Sequence, residues 1–440
     1  MSDLLAARSQ MAMSLAFHII FASIGIAMPL MMAIAEWRWL RTGQDVYLLL
    51  AKRWAKGTAI LFAVGAVSGT VLSFELGLLW PSFMAKAGPV IGPLFSLEGF
   101  AFFTEAIFLG IYLYGWHRVS PLAHLVSGII VALSGLASGI FVVIANAWMN
   151  TPTGFRLVEG QLVDIDPVAA MGNPMALTQT LHMILATYAA TGFAVAGIHA
   201  FLLLRDRRNL FHQRALSIAL TVGGLAALLQ PVSGDLLARA VSDHQPLKLA
   251  AFEGQFRTEQ GAPFRIGGIP DLETGTMRYA IEIPYGLSVL LYLDPHATVK
   301  GLEEFPRDEW PPVAIVRTAF QIMIACGFIM VAVALWGGWL AWRRGTVFDS
   351  RPFLRAVIGA SPLGFLATES GWVVTEVGRQ PWIISGVMRT AEAVTPMPGL
   401  VIPLIMFTML FLFLAVVVVW LLLRQVAASP RITSEEHVVS

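Results

Sequence analysis

Apolar runs of full membrane length alternate along the chain with short polar interruptions, and nine of them are bounded by charge, proline or a polar cluster. The pattern predicts spanning helices near residues 11–35, 56–79, 93–115, 122–147, 180–204, 215–237, 317–341, 354–375 and 399–423. Inside lipid each segment must satisfy its own backbone donors and acceptors, so runs of this length read as helices. The fold class expected is all-α integral membrane. The first run follows Arg8 with no small-residue cleavage site that stands out, so it reads as a retained helix. Neither a repeat at solenoid spacing nor an inverted repeat is found.

One connection breaks the short-loop pattern, at about 239–315, and it holds many of the prolines and charges. The chain therefore divides into 1–238 with helices one to six, the loop 239–315, 316–425 with helices seven to nine, and a tail at 426–440. Loops of this length are usually functional or disordered. Leu247, Leu249, Phe252 and Phe256 interleave with Lys248, Glu253 and Arg257, a mix that suits the membrane surface and favours function.

Basic residues set the orientation, because they avoid the translocated side of short loops. With the N-terminus outside, the inner segments carry sixteen, from Arg38 to Arg431, against five on the short outer segments: Arg8, Lys86, Arg156, Arg379 and Arg389. The long loop then lies outside and the C-terminus inside.

Composition removes other classes. The chain is 57% hydrophobic and 13% charged, against roughly 45–50% and about 25% in soluble proteins, which excludes an ordinary soluble enzyme. With 29 basic and 28 acidic residues there is no basic footprint for nucleic acid. The single cysteine, Cys326, permits neither an internal disulfide nor a thiolate cluster, so a metal must use His, Met or carboxylate.

Ionisable residues within spans are costly, and each is a functional candidate. His18, Glu98, Glu105, His182 and Glu369 qualify, with Glu376 just past the apolar part of the eighth run. Any one alone reads as a packing group bonded to a neighbouring helix. Once odd spans run inward and even spans outward, however, His18, Glu98, His182, Met323 and Glu376 fall in one layer near the outer face. A shared cofactor explains such a layer economically, and haem iron accepts His, Met and, more rarely, carboxylate. Ala186 and Ala189 follow His182 on its face, and Ala319 and Gly327 flank Met323, leaving room for a flat macrocycle. Met323 alone would read as core filling, since the chain has 18 methionines. A His/Met pair forms a closed six-coordinate site that passes electrons.

Glu105 lies seven residues inward of Glu98 on nearly the same helical face, and Ser127, Ser134 and Ser138 form a stripe on span four. Together they read as a proton path from the inner side. Membrane serines more often bond backbone, which is the plainer reading of the stripe.

The run Gly378-Arg379-Gln380-Pro381-Trp382, preceded by Gly371-Trp372 and Glu376, resembles the GRQPW signature of subunit I of cytochrome bd-type quinol oxidases. Four further passages fit in order: His18; Glu98-Gly99 with Phe102-Phe103-Thr104-Glu105; Asn146-Ala147-Trp148-Met149-Asn150; and Lys248-Leu249-Ala250-Ala251-Phe252-Glu253. The resemblance covers essentially the whole chain. It implies a low-spin haem b (b558 type) on His182 and Met323. His18, Glu98 and Glu376 would hold a high-spin haem b (b595 type) and a haem d, pairing left open, with Trp372 and Arg379 beside them. Lys248 and Glu253 would serve quinol oxidation, and Glu98 and Glu105 the proton supply.

The reaction implied is oxidation of ubiquinol or menaquinol at the outer face, with oxygen reduced to water by protons from inside, electrogenic without pumping. Subunit II, and a small single-span accessory subunit, would be partners in a bacterial inner membrane. Gln321 stands where many members have arginine, and the loop is the short form; both are similar to the cyanide-insensitive branch, where haem b replaces haem d. Two other readings remain open: a non-catalytic b-type cytochrome subunit and a proton-coupled transporter.

Overall fold

A computed structural model describes residues 1–430 and 432; Arg431 and most of the tail expected at 426–440 lie outside the described residues. Nine helices among the described residues are long and apolar enough to cross a membrane: Asp3–Thr42, Asp45–Leu79, Pro81–Tyr114, Pro121–Asn150, Ala176–Arg205, Leu210–His244, Val313–Arg344, Arg351–Val377 and Val401–Ala427. Each covers one run expected from the sequence. The ends have local causes. The Ser2 and Ser120 side chains accept backbone N–H bonds from Leu5 and Ala123 and start the first and fourth spans. Gly43 and Gly345, at φ 65° and 71°, stop the first and seventh in the left-handed conformation that glycine adopts without penalty.

Two spans depart from the expected form. The third begins at Pro81, not near 93, and runs through Pro89 and Pro93. Proline there was read as a boundary, but neighbouring helices in a membrane bundle tolerate the lost backbone bonds. The eighth is two helices, Arg351–Ala360 and Leu363–Val377, parted at Ser361-Pro362. That break lets the span press against the fifth. A Cβ on Gly197 would meet the Ser361 Cβ at 2.3 Å, and one on Gly364 the Ala190 Cα at 2.3 Å.

The spans form two groups of four. Helices one to four pack together, as do five to eight, the fifth also touching the first and fourth. Gly192 and Gly223 let the fifth and sixth approach closely, with a Cβ on Gly192 falling 2.5 Å from the Gly223 Cα. The ninth lies along the first and second. Its start is tied to the other end of the chain, since Asp3 Oδ1 accepts the N–H groups of Gly399 and Leu400 at 3.1 and 2.9 Å.

Between His244 and Val313 the long connection is ordered by short elements. It holds a helix at Pro246–Glu253, a hairpin of Phe264–Asp271 with Thr276–Ile283, and a helix at Gly286–Tyr292. The membrane-surface reading of its first segment is overturned. Leu249, Phe252 and Phe256 are buried, and so are Lys248 and Glu253. The helix wedges among the ends of spans four, six, seven and eight, so its apolar residues face protein. Leu249 and Phe252 share a core cluster with Ala147, Phe320 and Val374, against which Met323 packs. The face of the bundle carrying this connection is the loop side; by parity it is also the side of the N-terminus.

Candidate functional site

His182 lies two turns into the fifth span and faces the sixth. Its Nδ1 is 3.0 Å from Ser233 Oγ, and Gln230 Nε2 approaches Nε2 at 3.2 Å. Gly234 leaves space beside the ring, where a Cβ would stand 3.4 Å from Cε1. Met323 is ten residues into the seventh span and points its thioether at the eighth, where a Cβ on Gly371 would come within 3.1 Å of Sδ. Both residues belong to the second group of helices. Each has a glycine opposite its thioether or ring, a clearance that a planar group could use.

The other candidates spread across the first group. His18 Nδ1 is 2.9 Å from Ser68 Oγ, and a Cβ on Gly69 would crowd the imidazole at 3.0 Å. Glu98 accepts from Ser138 Oγ at 2.9 Å. Glu105 is buried against bare backbone, its carboxyl 3.2 Å from where a Gly135 Cβ would be. The serine stripe is not a continuous side-chain relay: Ser127 bonds His124 O at 2.6 Å and Ser134 bonds Ile130 O at 2.7 Å. Both satisfy their own helix, as serines in apolar helices commonly do. Only Ser138 reaches a carboxyl.

Glu376 joins the two groups. Its Oε1 takes a bond from Asn146 Nδ2 of the fourth span, and its Oε2 takes one from Arg379 Nη2 at 2.6 Å. Asn146 Oδ1 also accepts from Gln179 at 2.7 Å, and Asn150 donates to Asn146 O at 2.9 Å. Lys248 Nζ completes the line by donating to Asn150 Oδ1. A continuous polar chain therefore runs from the loop helix to Glu376. Trp372, one turn before Glu376, is half-buried on the same helix. In Gly378–Trp382, Arg379 turns back to Glu376, Gln380 accepts from Thr390 Oγ1 at 2.9 Å, and Trp382 pairs with Arg389.

Lys248 and Glu253 do not face one another. Five residues on a helix turn about 140°, so Lys248 meets the Asn150 end and Glu253 meets the seventh span. Glu253 Oε2 is 3.5 Å from Arg317 Nη1. Burial pushes the Glu253 carboxyl up to about 7, against the pull of Arg317 and Arg265. Burial, then Arg379, brings the Lys248 ammonium down to about 7, with Glu376 opposing. Each can therefore change charge near neutral pH.

Several buried polar residues were not anticipated. Glu75 accepts from Gln10 at 2.9 Å and Ser14 at 2.8 Å, one to two turns toward the loop side of His18. It sits in an apolar run, and the rule that flagged Glu98 also applies to it. Glu36 and His124 pair at 2.7 Å on the opposite side, and His199 and His212 meet there at 3.0 Å. Arg317 was missed because it stands at the edge of its run, where a charge reads as a boundary.

The donor set fits haem. Two histidines and a methionine thioether lie beside glycine clearances. Arg379, 5% exposed, keeps Nε and Nη1 without a partner among the described residues, donors suited to an acidic substituent on such a group. A nine-span helical bundle with His, Met and carboxyl candidates near a structured loop is a membrane redox protein in class. The profile of the cytochrome bd terminal oxidase subunit I family matches residues 6–430, and the chain belongs to that family.

Similar proteins agree. A putative cytochrome bd menaquinol oxidase subunit I of Bacillus subtilis is 37% identical over 429 residues, covering 96% of each chain. The cytochrome bd-II ubiquinol oxidase subunit 1 of Escherichia coli is 26% identical, covering 98% of this chain and 97% of its own. The solved bd oxidase of Geobacillus thermodenitrificans superposes with a TM-score of 0.91 at 39% identity, covering 98% of this chain and 99% of that one. The family assignment sets aside the transporter and the non-catalytic cytochrome.

Proposed function

We propose that this chain is the haem-bearing subunit of a terminal quinol oxidase, a quinol:oxygen oxidoreductase of the respiratory chain. The structural observation that carries the reading furthest is the loop helix seated on the core. Leu249 and Phe252 pack in the cluster that Met323 joins, while Lys248 begins the polar chain that ends at Glu376. Quinol chemistry at the loop is thus in contact with both groups of candidate ligands.

His182 and Met323 would hold a low-spin haem b. His18, Glu98 and Glu376 would hold a high-spin haem b and a haem d, or haem b in its place, with Arg379 and Trp372 beside them. When bound, the haems supply electron transfer and the reduction of oxygen to water. Glu253 accepts a hydroxyl proton from ubiquinol or menaquinol, and Lys248 balances charge on the far side of the helix. The loop side is the outer face, as the basic residues require, so the released protons leave outside. Glu105 and Glu98 carry protons from inside toward the oxygen site. The assembly lies in a bacterial cytoplasmic membrane with subunit II and a single-span accessory subunit. Gln321 and the short loop fit the cyanide-insensitive branch.

The test is an optical spectrum of the purified complex, reduced and then exposed to carbon monoxide, together with quinol-driven oxygen consumption. A carbon monoxide shift with quinol-dependent turnover is expected. A spectrum of haem bands indifferent to carbon monoxide would overturn the reading, because no open haem would be present to bind oxygen.

A further inference from the structure

One side chain of the membrane domain gathers two separate pieces of the loop. Arg317, with no exposed surface, stands just over one turn into the seventh span. Its Nη1 donates to Phe252 O at 3.0 Å, at the end of the loop helix. Its Nη2 donates to the carbonyls of Arg265 and Gly267 at 2.5 and 2.8 Å, on the first strand of the hairpin. One turn further on, Gln321 accepts the Gly267 N–H at 2.8 Å. Two separate pieces of the loop therefore converge on one guanidinium. A planar cation with five fixed donors can hold three carbonyls at once, which a single ammonium cannot do with the same geometry.

The same guanidinium faces Glu253 at 3.5 Å. The other cation near Glu253 is Arg265, on the hairpin, but its charge is already met by Glu259 at 3.0 Å and Glu282 at 2.8 Å, with Gln255 Oε1 at 2.6 Å. Lys248 is on the far face of the loop helix, at Asn150. Arg317 is thus the cation left to balance Glu253. Gln321, two residues before Met323, is neutral and contacts loop backbone.

We propose that Arg317 is the positioning residue of quinol oxidation: it bolts the loop helix and hairpin to the seventh span and holds the Glu253 carboxylate ready to take a quinol hydroxyl proton. The inference rests on the reading of Glu253 as proton acceptor. In that step a quinol O–H bond breaks, the proton goes to a Glu253 carboxylate oxygen, and the electrons leave the ring toward oxygen, the terminal oxidant of the established activity. Without Arg317 the carboxylate would lose its balancing cation and bind its proton more tightly. The ionised form would then appear only at higher pH.

The experiment compares Arg317→Met and Arg317→Lys in the assembled oxidase, reading the pH profile of kcat/KM for quinol and the rate at which protease cuts the loop. Arg317→Met should move the acid limb upward by about one to two pH units, the shift expected from losing an opposite charge at this range, and should speed loop cleavage. Arg317→Lys should restore the limb but not the protease resistance, because one ammonium cannot bridge both loop pieces. If Arg317→Met fails to assemble with its haem spectrum, Arg317→Gln keeps donors without charge and should show the same upward limb. An unmoved limb in the neutral variant overturns the proposal. Glu253→Gln separates the two ideas: wild-type turnover in that variant overturns the proton-acceptor reading as well, whereas a lost limb there with an unmoved limb in Arg317→Met overturns only the role of Arg317.

Discussion

In the first four spans Glu36 pairs with His124, but Glu75, Glu98 and Glu105 meet serine and glutamine side chains or bare glycine backbone, and among the described residues none of these three has a cation in contact. In spans five to eight the interior holds His182 and Met323, each opposite a glycine, with Gln230 and Ser233 turned to the imidazole. An acid in lipid without a counter-charge is costly unless hydrated or carrying its proton. Soft or neutral ligands with clearance cost little and shape a flat site. On the reading proposed above, the first group carries the acids that would move protons, beside His18, and the second the His182/Met323 pair that would seat the low-spin haem, with Glu376 reaching across from the second group to Asn146 of the first.

The largest effect should come from breaking the second half. His182→Ala or Met323→Leu should remove or convert the low-spin spectrum, preserve the high-spin bands and stop quinol oxidation. Two variants with a normal low-spin spectrum would reduce both residues to packing. Next, Glu253→Gln should lower quinol turnover by about 10²-fold, the lower range for general base catalysis, while dithionite still reduces every haem. A Glu253 that takes the quinol proton must be ionised to act, and its carboxyl is pushed up to about 7. Quinol turnover should therefore fall as pH drops below that value and level off above it; a flat profile from pH 6 to 8 would contradict the assignment.

A smaller effect tests the first half. Glu105→Leu should slow oxygen consumption under excess quinol, with all haems present, by less than the Glu253 change slows quinol turnover. Wild-type rates would mean that protons arrive by another route. The smallest effects divide the serines. Ser138→Ala removes a bond to Glu98 and should slow the same step by about two- to threefold, the low end of the roughly 0.5–1.5 kcal/mol that one net hydrogen bond is worth. Ser134→Ala removes only a bond to its own helix and should leave the rate unchanged.

Much of this arrangement was legible from apolar run length. Nine runs gave nine spans because lipid leaves the backbone no alternative to the helix. Helix ends were less legible: Pro89 and Pro93 looked like a boundary and proved internal, since tertiary packing outweighs the local cost of proline. Residue type flagged His18, Glu98, Glu105 and His182 by the same cost argument. It could not show that Ser134 bonds its own backbone, nor that Lys248 and Glu253 look in different directions, because both depend on contacts between distant segments. The loop helix was misplaced for a related reason. Its mixed pattern fits equally a membrane surface and a wedge between helix ends, and only the packing of Phe252 on Phe320, with ring centroids 4.4 Å apart, distinguishes them.

The bond from Asp3 to the amides of Gly399 and Leu400 also bears on how the chain is made. The ribosome delivers the amides nearly 400 residues after the carboxylate, roughly 20 to 80 seconds later at ordinary elongation speed. During that interval the first span sits in the bilayer without its final neighbour, and its Asp3 end lacks one of its ties. A chain truncated before Gly399 would lose this latch while retaining every candidate haem ligand. Comparing its lifetime in the membrane with that of an Asp3→Ala full-length chain would separate the worth of the latch from the worth of the ninth helix itself.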